Sequence, residues 1–197
     1  MLRRSENLFV ARLDPDIAGI IEQVITAIDK SNFDKARELL KPLVENHNAA
    51  ALFYAASFGR PEETQAAFEK RHIEQLHESA KLGYVPAIHE LAIRYDSGDM
   101  VALDAKKAAQ LFKQAAQKDH PHSQWIHGED LLYGRNGIEK DEKLGIEYIK
   151  KAAAAKFEGA LEAVAGFYEQ GIFGFQKDTE KANTIKQQIT NGNVIGY

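Results

Sequence analysis

Three histidines, His120, His122 and His127, fall within eight residues, with Glu129 and Asp130 just beyond. Imidazole and carboxylate both bind zinc, and a fourth position left open to water would permit metal-assisted hydrolysis. The spacing works against this chemistry. A helix brings two histidines to one face at i and i+4, as in His-Glu-x-x-His, whereas His122 and His127 are five apart. His120 and His122 flank Pro121 at a junction between helices, where the dipole of a helix C-terminus favours a histidine. The reading is therefore no metal, with His127 as a hydrogen-bonded core residue. A metal-dependent hydrolase using the cluster is kept as an alternative.

Other catalytic constellations are missing from the sequence. There is no Gly-x-Ser-x-Gly, no Gly-Lys-Ser/Thr phosphate loop and no Gly-x-Gly-x-x-Gly. Adjacent acids such as Glu62-Glu63 and Glu129-Asp130 read as solvated faces or first-turn helix charges in a chain with 29 Asp and Glu. Lys70-Arg71, beside Glu69 and Glu74, reads as i,i+4 surface pairing, and Lys150-Lys151 as a helix end. The expectation is a chain with no catalytic residue and no cofactor.

Composition narrows the class further. The chain has 197 residues, 25 Lys and Arg against 29 Asp and Glu, and a formal charge of −4. The basic and acidic side chains number 12 and 16 in residues 1–100, then 13 and 13 in the rest, so neither half offers the basic face that nucleic acid requires. Absence of cysteine excludes disulfides, thiolate metal sites and thiol chemistry. No apolar run approaches the ~20 residues that cross a bilayer. Met1-Leu2-Arg3-Arg4 begins like a signal peptide, but Ser5-Glu6-Asn7 and Arg12 interrupt any apolar region. A cytoplasmic protein without membrane contact is expected.

The elements that would position these residues emerge from an internal repeat. Leu91-Ala92, Tyr95, Gly98, Asp104, Lys107-Ala108, Leu111 and Ala115-Ala116 return as His127-Gly128, Leu131, Gly134, Asp141, Gly145, Tyr148 and Ala152-Ala153. They return again as Val164-Ala165, Tyr168, Gly171, Asp178, Lys181-Ala182, Ile185 and Ile189. Asp104, Asp141 and Asp178 are spaced by 37 residues. Each unit predicts a helix, a glycine free to turn left-handed, and an aspartate that caps a second helix. Small residues at Ala92, Gly128 and Ala165 would let the second helix approach closely. One pair cannot cover its own apolar face, so pairs must stack. Upstream, Ile20, Ile21, Val24 and Ile28 share one helical face. Leu52-Phe53, Ala56 and Gly59 read as another first helix, with Pro61 placed to start its partner. The expected organisation is an arm (1–14), one helical-repeat domain (15–191) and a tail (192–197). Its five pairs would lie near 15–47, 48–83, 84–120, 121–158 and 159–191.

The pattern Leu-Gly/Ala-x-x-Tyr-x-x-Gly, then Asp-x-x-Lys-Ala and a closing Ala-Ala, resembles the Sel-one-like repeat (SLR), a relative of the tetratricopeptide repeat. The resemblance is strong over 84–191 and partial over 48–83, while the Ser31-Asn32-Phe33-Asp34-Lys35-Ala36 turn is closer to a tetratricopeptide unit. Met100, Gly145 and His127 depart from the glycine, alanine and leucine usual at their positions. The resemblance implies an all-α, right-handed α-solenoid whose members bind proteins or peptides as adaptors.

If the first helices line a concave groove, as in the resembling families, their positions off the core stripe face a partner. These are Tyr54; His89, Ile93 and Asp96; Trp125, Glu129 and Leu132; and Glu162, Gly166 and Glu169. Aromatic side chains are enriched at interface hot spots, which singles out Trp125, the sole tryptophan. The glutamates near it favour a partner with basic and apolar patches. The expected function is a non-catalytic protein-interaction module, adaptor or scaffold, with an immunity or inhibitor protein against a cognate toxin as an alternative. Leu2, Leu8, Phe9, Val10 and Leu13 make the arm apolar enough to cap the first pair or to dock a second copy. Val194, Ile195 and Tyr197 could cover the other end.

Overall fold

All but one of the helices named below start where a side chain or proline can satisfy or dispense with orphan N–H groups; the exception begins after Phe157, which makes no side-chain cap. The computed structural model describes residues 8–192 and 194–196; Leu2 and Tyr197 of the expected arm and tail lie outside them. After a short helical stretch at residues 8–10, the helices are α1 (Pro15–Asp29), α2 (Phe33–Glu45), α3 (Ala49–Ala56), α4 (Gln65–Lys81), α5 (Val85–Ser97) and α6 (Ala105–Gln117). They continue as α7 (Pro121–Tyr133), α8 (Glu142–Ala154), α9 (Glu158–Gln170) and α10 (Thr179–Thr190). Asp14, Asn32, Asn48 and Thr64 cap α1 to α4 through their side chains. Among the described residues there is no strand, only one parallel bridge between Phe157 and Ile195.

The repeated residues carry repeated geometry. Gly98, Gly134 and Gly171 end their helices at φ of 72°, 68° and 70°. The N–H groups of Asp104, Asp141 and Asp178 then donate back to the carbonyls of Tyr95, Leu131 and Tyr168 at 2.9, 2.9 and 2.8 Å. Their carboxylates accept the N–H groups of Lys107, Leu144 and Lys181 at 3.0, 3.0 and 2.9 Å. One aspartate thus closes the loop with its backbone and opens the next helix with its side chain. Pro61 does not start α4: that helix begins four residues later, behind the Thr64 cap.

The contacts divide the chain into two compact units, Met1–Leu111 and Phe112–Tyr197. The boundary falls inside α6 rather than at a linker, as befits an array in which each element touches mainly its neighbours. Within the first unit each helix from α1 to α5 packs on the next. Phe9 and Val10 of the arm are buried with Ile21, Val24, Leu40 and Leu76 in its core. In the second unit α7, α8, α9 and α10 pack in sequence around Leu132, Ile149, Phe157 and Phe167.

In the second unit α7 and α8 approach closely at Gly128 and Gly145. A Cβ added to Gly145 would stand 2.7 Å from the Gly128 carbonyl oxygen and 2.9 Å from the Leu132 nitrogen. The absent Cβ lets the two backbones meet, and Leu132 is consequently buried.

Candidate functional site

Trp125 sits one turn into α7, half-buried, in an aromatic stack. Its ring lies 5.8 Å from His122 and 5.6 Å from Phe157, and His122 stacks on Phe157 at 4.8 Å. Phe157 is the N-cap residue of α9 and is 1% exposed, so it anchors the stack. The tryptophan is neither swallowed by the core nor fully wet. His122 and Phe157 fix its position, and it stays half-buried.

The other expected groove positions divide by burial. Tyr54 is fully buried in the first unit's core and Leu132 in the second's, and His89 is 5% exposed. These three offer no side-chain surface to a partner, which corrects their expected role. In the first unit, Ile93 is half-buried and Asp96 exposed. In the second, Glu162 is exposed, Glu129 receives Arg135 at 2.9 Å, and Glu169 receives Lys186 at 2.5 Å. Two of the three glutamates therefore have local counter-charges, supplied by the loop after α7 and by α10.

The histidine cluster does not converge. His120 is the N-cap of α7, where its Nδ1 accepts the Ser123 N–H at 3.3 Å, so its dipole partner is a helix start rather than a helix end. His122 is spent on the stack, and His127 is buried with its ring edge-on to Tyr148 at 5.0 Å. Among the described residues no three His, Asp or Glu side chains are grouped to hold a metal. The described geometry does not gather the side chains that the hydrolase alternative would use.

Burial, with a smaller contribution from Lys113, pulls the His127 imidazole from 6.5 down to about 4. The unfolded chain takes up this proton near 6.5 and the folded chain only near 4. His127 therefore costs nothing above pH 6.5 and weakens the fold progressively as pH falls from 6.5 towards 4. His127→Leu is expected to flatten that part of the stability profile. Thermal melts from pH 7 to 4.5 that run parallel for the two proteins would contradict this.

Sequence reading missed Arg71. It is not surface decoration: its side chain is 12% exposed and grips Glu63 at 2.7 and 2.8 Å. The same guanidinium donates to the Ala55 and Phe58 carbonyls and to Gln75 Oε1, each at 2.9 Å. Nearby, a cavity of about 390 Å³ has Leu40, Val44 and Phe58 in its wall and Arg37, Lys41 and Arg60 among its charged groups. Glu45 is the acidic residue in the same wall.

Helix pairs closed by a left-handed residue and reopened by a capping aspartate every 36 or 37 residues define an α-helical repeat protein of the solenoid class. Residues 85–120, 121–157 and 160–183 match the Sel1 repeat, and the chain belongs to the Sel1-repeat family. Over 119 residues, 58% of this chain, it is 29% identical to a chitin synthase regulator of Malassezia restricta, of which it spans 8%. It superposes with a TM-score of 0.65 on a protective antigen present in uropathogenic Escherichia coli strains that displays an SLR fold. There the identity is 25%, covering 79% of this chain and 33% of that one. A Sel1 repeat protein from Oxalobacter formigenes gives a TM-score of 0.61 at 19% identity, covering 78% of this chain and 61% of the other. The chain spans less than two thirds of each of these proteins. Sel1-repeat proteins as a family mediate protein–protein interaction and are generally non-catalytic scaffolds. No helix among the described residues is long and apolar enough to cross a membrane.

Proposed function

We propose that this chain is a non-catalytic adaptor or scaffold that binds a protein or peptide through the surface around Trp125, in a cytoplasmic setting. The observation that carries the reading is the stack itself. A tryptophan held by His122 and Phe157 presents a large, pre-positioned apolar face at little conformational cost. Glu129, Glu162 and Glu169 supply the polar rim, and Ile93 with Asp96 are the corresponding surface residues of the first unit. The partner is a protein with an apolar anchor and basic side chains, the latter competing with Arg135 and Lys186 for their carboxylates. The Malassezia restricta relative, named as a regulator of an enzyme, supports a role exerted on another protein.

Removal of the anchor tests this directly. In pull-downs from the native source, Trp125→Ala is expected to weaken partner capture by about tenfold or more, the loss typical of a hot-spot aromatic. Glu162→Lys is expected to weaken it less, and more so at low salt. Equal capture by all three proteins would remove this surface from the reading.

A further inference from the structure

A helix start leaves N–H groups that something must accept. At α7 the chain solves this within the repeat, through the His120 imidazole. The position equivalent to His120 at α9 is Phe157, whose ring has no acceptor and makes no side-chain cap. The need is met from elsewhere: the Ile195 carbonyl accepts the Glu158 N–H at 3.0 Å, and the Ile195 N–H donates to the Lys156 carbonyl at 2.8 Å. Lys156 sits at φ 62°, in the left-handed region, at the turn between α8 and α9. The Ile195 side chain, half-buried, packs against the cluster that contains Phe157. Two main-chain bonds and one β-branched side chain thus seat residues 194–196 as a single parallel β-bridge.

We infer that the start of α9 is a docking site for an extended segment of a partner protein carrying a β-branched apolar residue, and that residues 194–196 occupy it in the chain's own resting state. The chemistry accepted there is displayed by the occupant. Backbone pairing on both sides of Phe157 accepts any extended segment, and the apolar contact selects isoleucine or valine. Self-occupancy is exchangeable, because only two main-chain hydrogen bonds and one half-buried side chain hold the segment. This deepens the interaction reading, on which it rests for the source of the segment. Phe157 joins the two surfaces, touching Trp125 on one side and pairing with Ile195 on the other.

The test uses a fluorescent peptide with the sequence of residues 191–197, titrated by anisotropy against the full chain and its Ile195→Asp variant. Freed of its own segment, Ile195→Asp is expected to bind the peptide at least tenfold more tightly than the parent, and a peptide carrying aspartate for isoleucine is expected not to bind. A chain ended after Asn191 serves as a second variant in case the aspartate disturbs folding, and should match Ile195→Asp. Equal binding by parent and variants, or binding by none, overturns the inference. A parent that is dimeric by light scattering while Ile195→Asp is monomeric also overturns it, by assigning the site to a second copy. No cellular partner enters this assay, so its failure leaves the Trp125 pull-down untouched, and failure of the pull-down leaves the peptide result standing.

Discussion

Gly145→Ala is expected to destabilise the protein by about 2 kcal/mol, although alanine is the better helix former. Within α8 the substitution should gain about 1 kcal/mol from propensity alone. The added methyl, however, meets the Gly128 carbonyl oxygen at 2.7 Å and the Leu132 nitrogen at 2.9 Å. Both are backbone atoms, so no side chain can rotate aside and α8 must move bodily away from α7. Overpacking of this kind costs roughly 1–3 kcal/mol, and the upper end applies where only backbone can yield. Gly128→Ala should behave similarly, since its methyl would lie 2.9 Å from the Gly145 carbonyl oxygen and 2.8 Å from Ile149 Cγ1. Gly166 provides the control: it lies inside α9 with nothing within 4 Å of an added Cβ, so Gly166→Ala should stabilise by up to about 1 kcal/mol. Urea denaturation of the three variants measures all of this. A Gly145→Ala protein as stable as the parent would mean that the helices do not meet this closely.

The same contact explains which parts of the molecule the sequence made legible. Gly98, Gly134 and Gly171, with Asp104, Asp141 and Asp178, act through local backbone chemistry repeated at fixed spacing, and periodicity reveals them directly. Helical phase also sets Trp125 off the core stripe of α7, and the residue is half-buried there. Phase cannot say how deep a face lies. Leu132 shares the predicted face but disappears under α8, because the two glycines bring the helices too close to leave it exposed. Tyr54 and His89 are buried as well, which their phase does not announce. Phe157 carried a signal that went unused: with Tyr84 and His120 it completes a series of ring-bearing residues, each the N-cap of a first helix. Ile195 carried none, since its pairing is outside the repeat.

Arg71 was missed for a related reason, and its replacement is expected to have the largest effect of any charged residue. Three of its partners lie 16, 13 and 8 residues back, in α3 and the loop before α4 that follows no repeat, and the fourth, Gln75, lies one turn on in α4. Arg71→Met keeps the aliphatic stem but abandons the carbonyls of Ala55 and Phe58 and the amide oxygen of Gln75. At about 1 kcal/mol for each bond to a neutral acceptor, the loss is about 3 kcal/mol. It should fall first on the loop, so amide exchange at residues 57–64 is expected to accelerate more than exchange in α1 or α2. The carboxylate adds a pH signature. The hydrogen bond from Arg71 draws Glu63 from 4.5 down to about 2, against an opposing push from burial and with help from the Arg60 N–H. A depressed carboxyl contributes its stability in full above pH 4.5 and loses it as pH falls towards 2. The parent should therefore weaken as pH falls from 4.5 towards 2, with Arg71→Met and Glu63→Gln each weaker at pH 7 and each less sensitive to acid. If Arg71→Met instead melts with the parent's midpoint and the parent's acid slope, the guanidinium does not hold this loop.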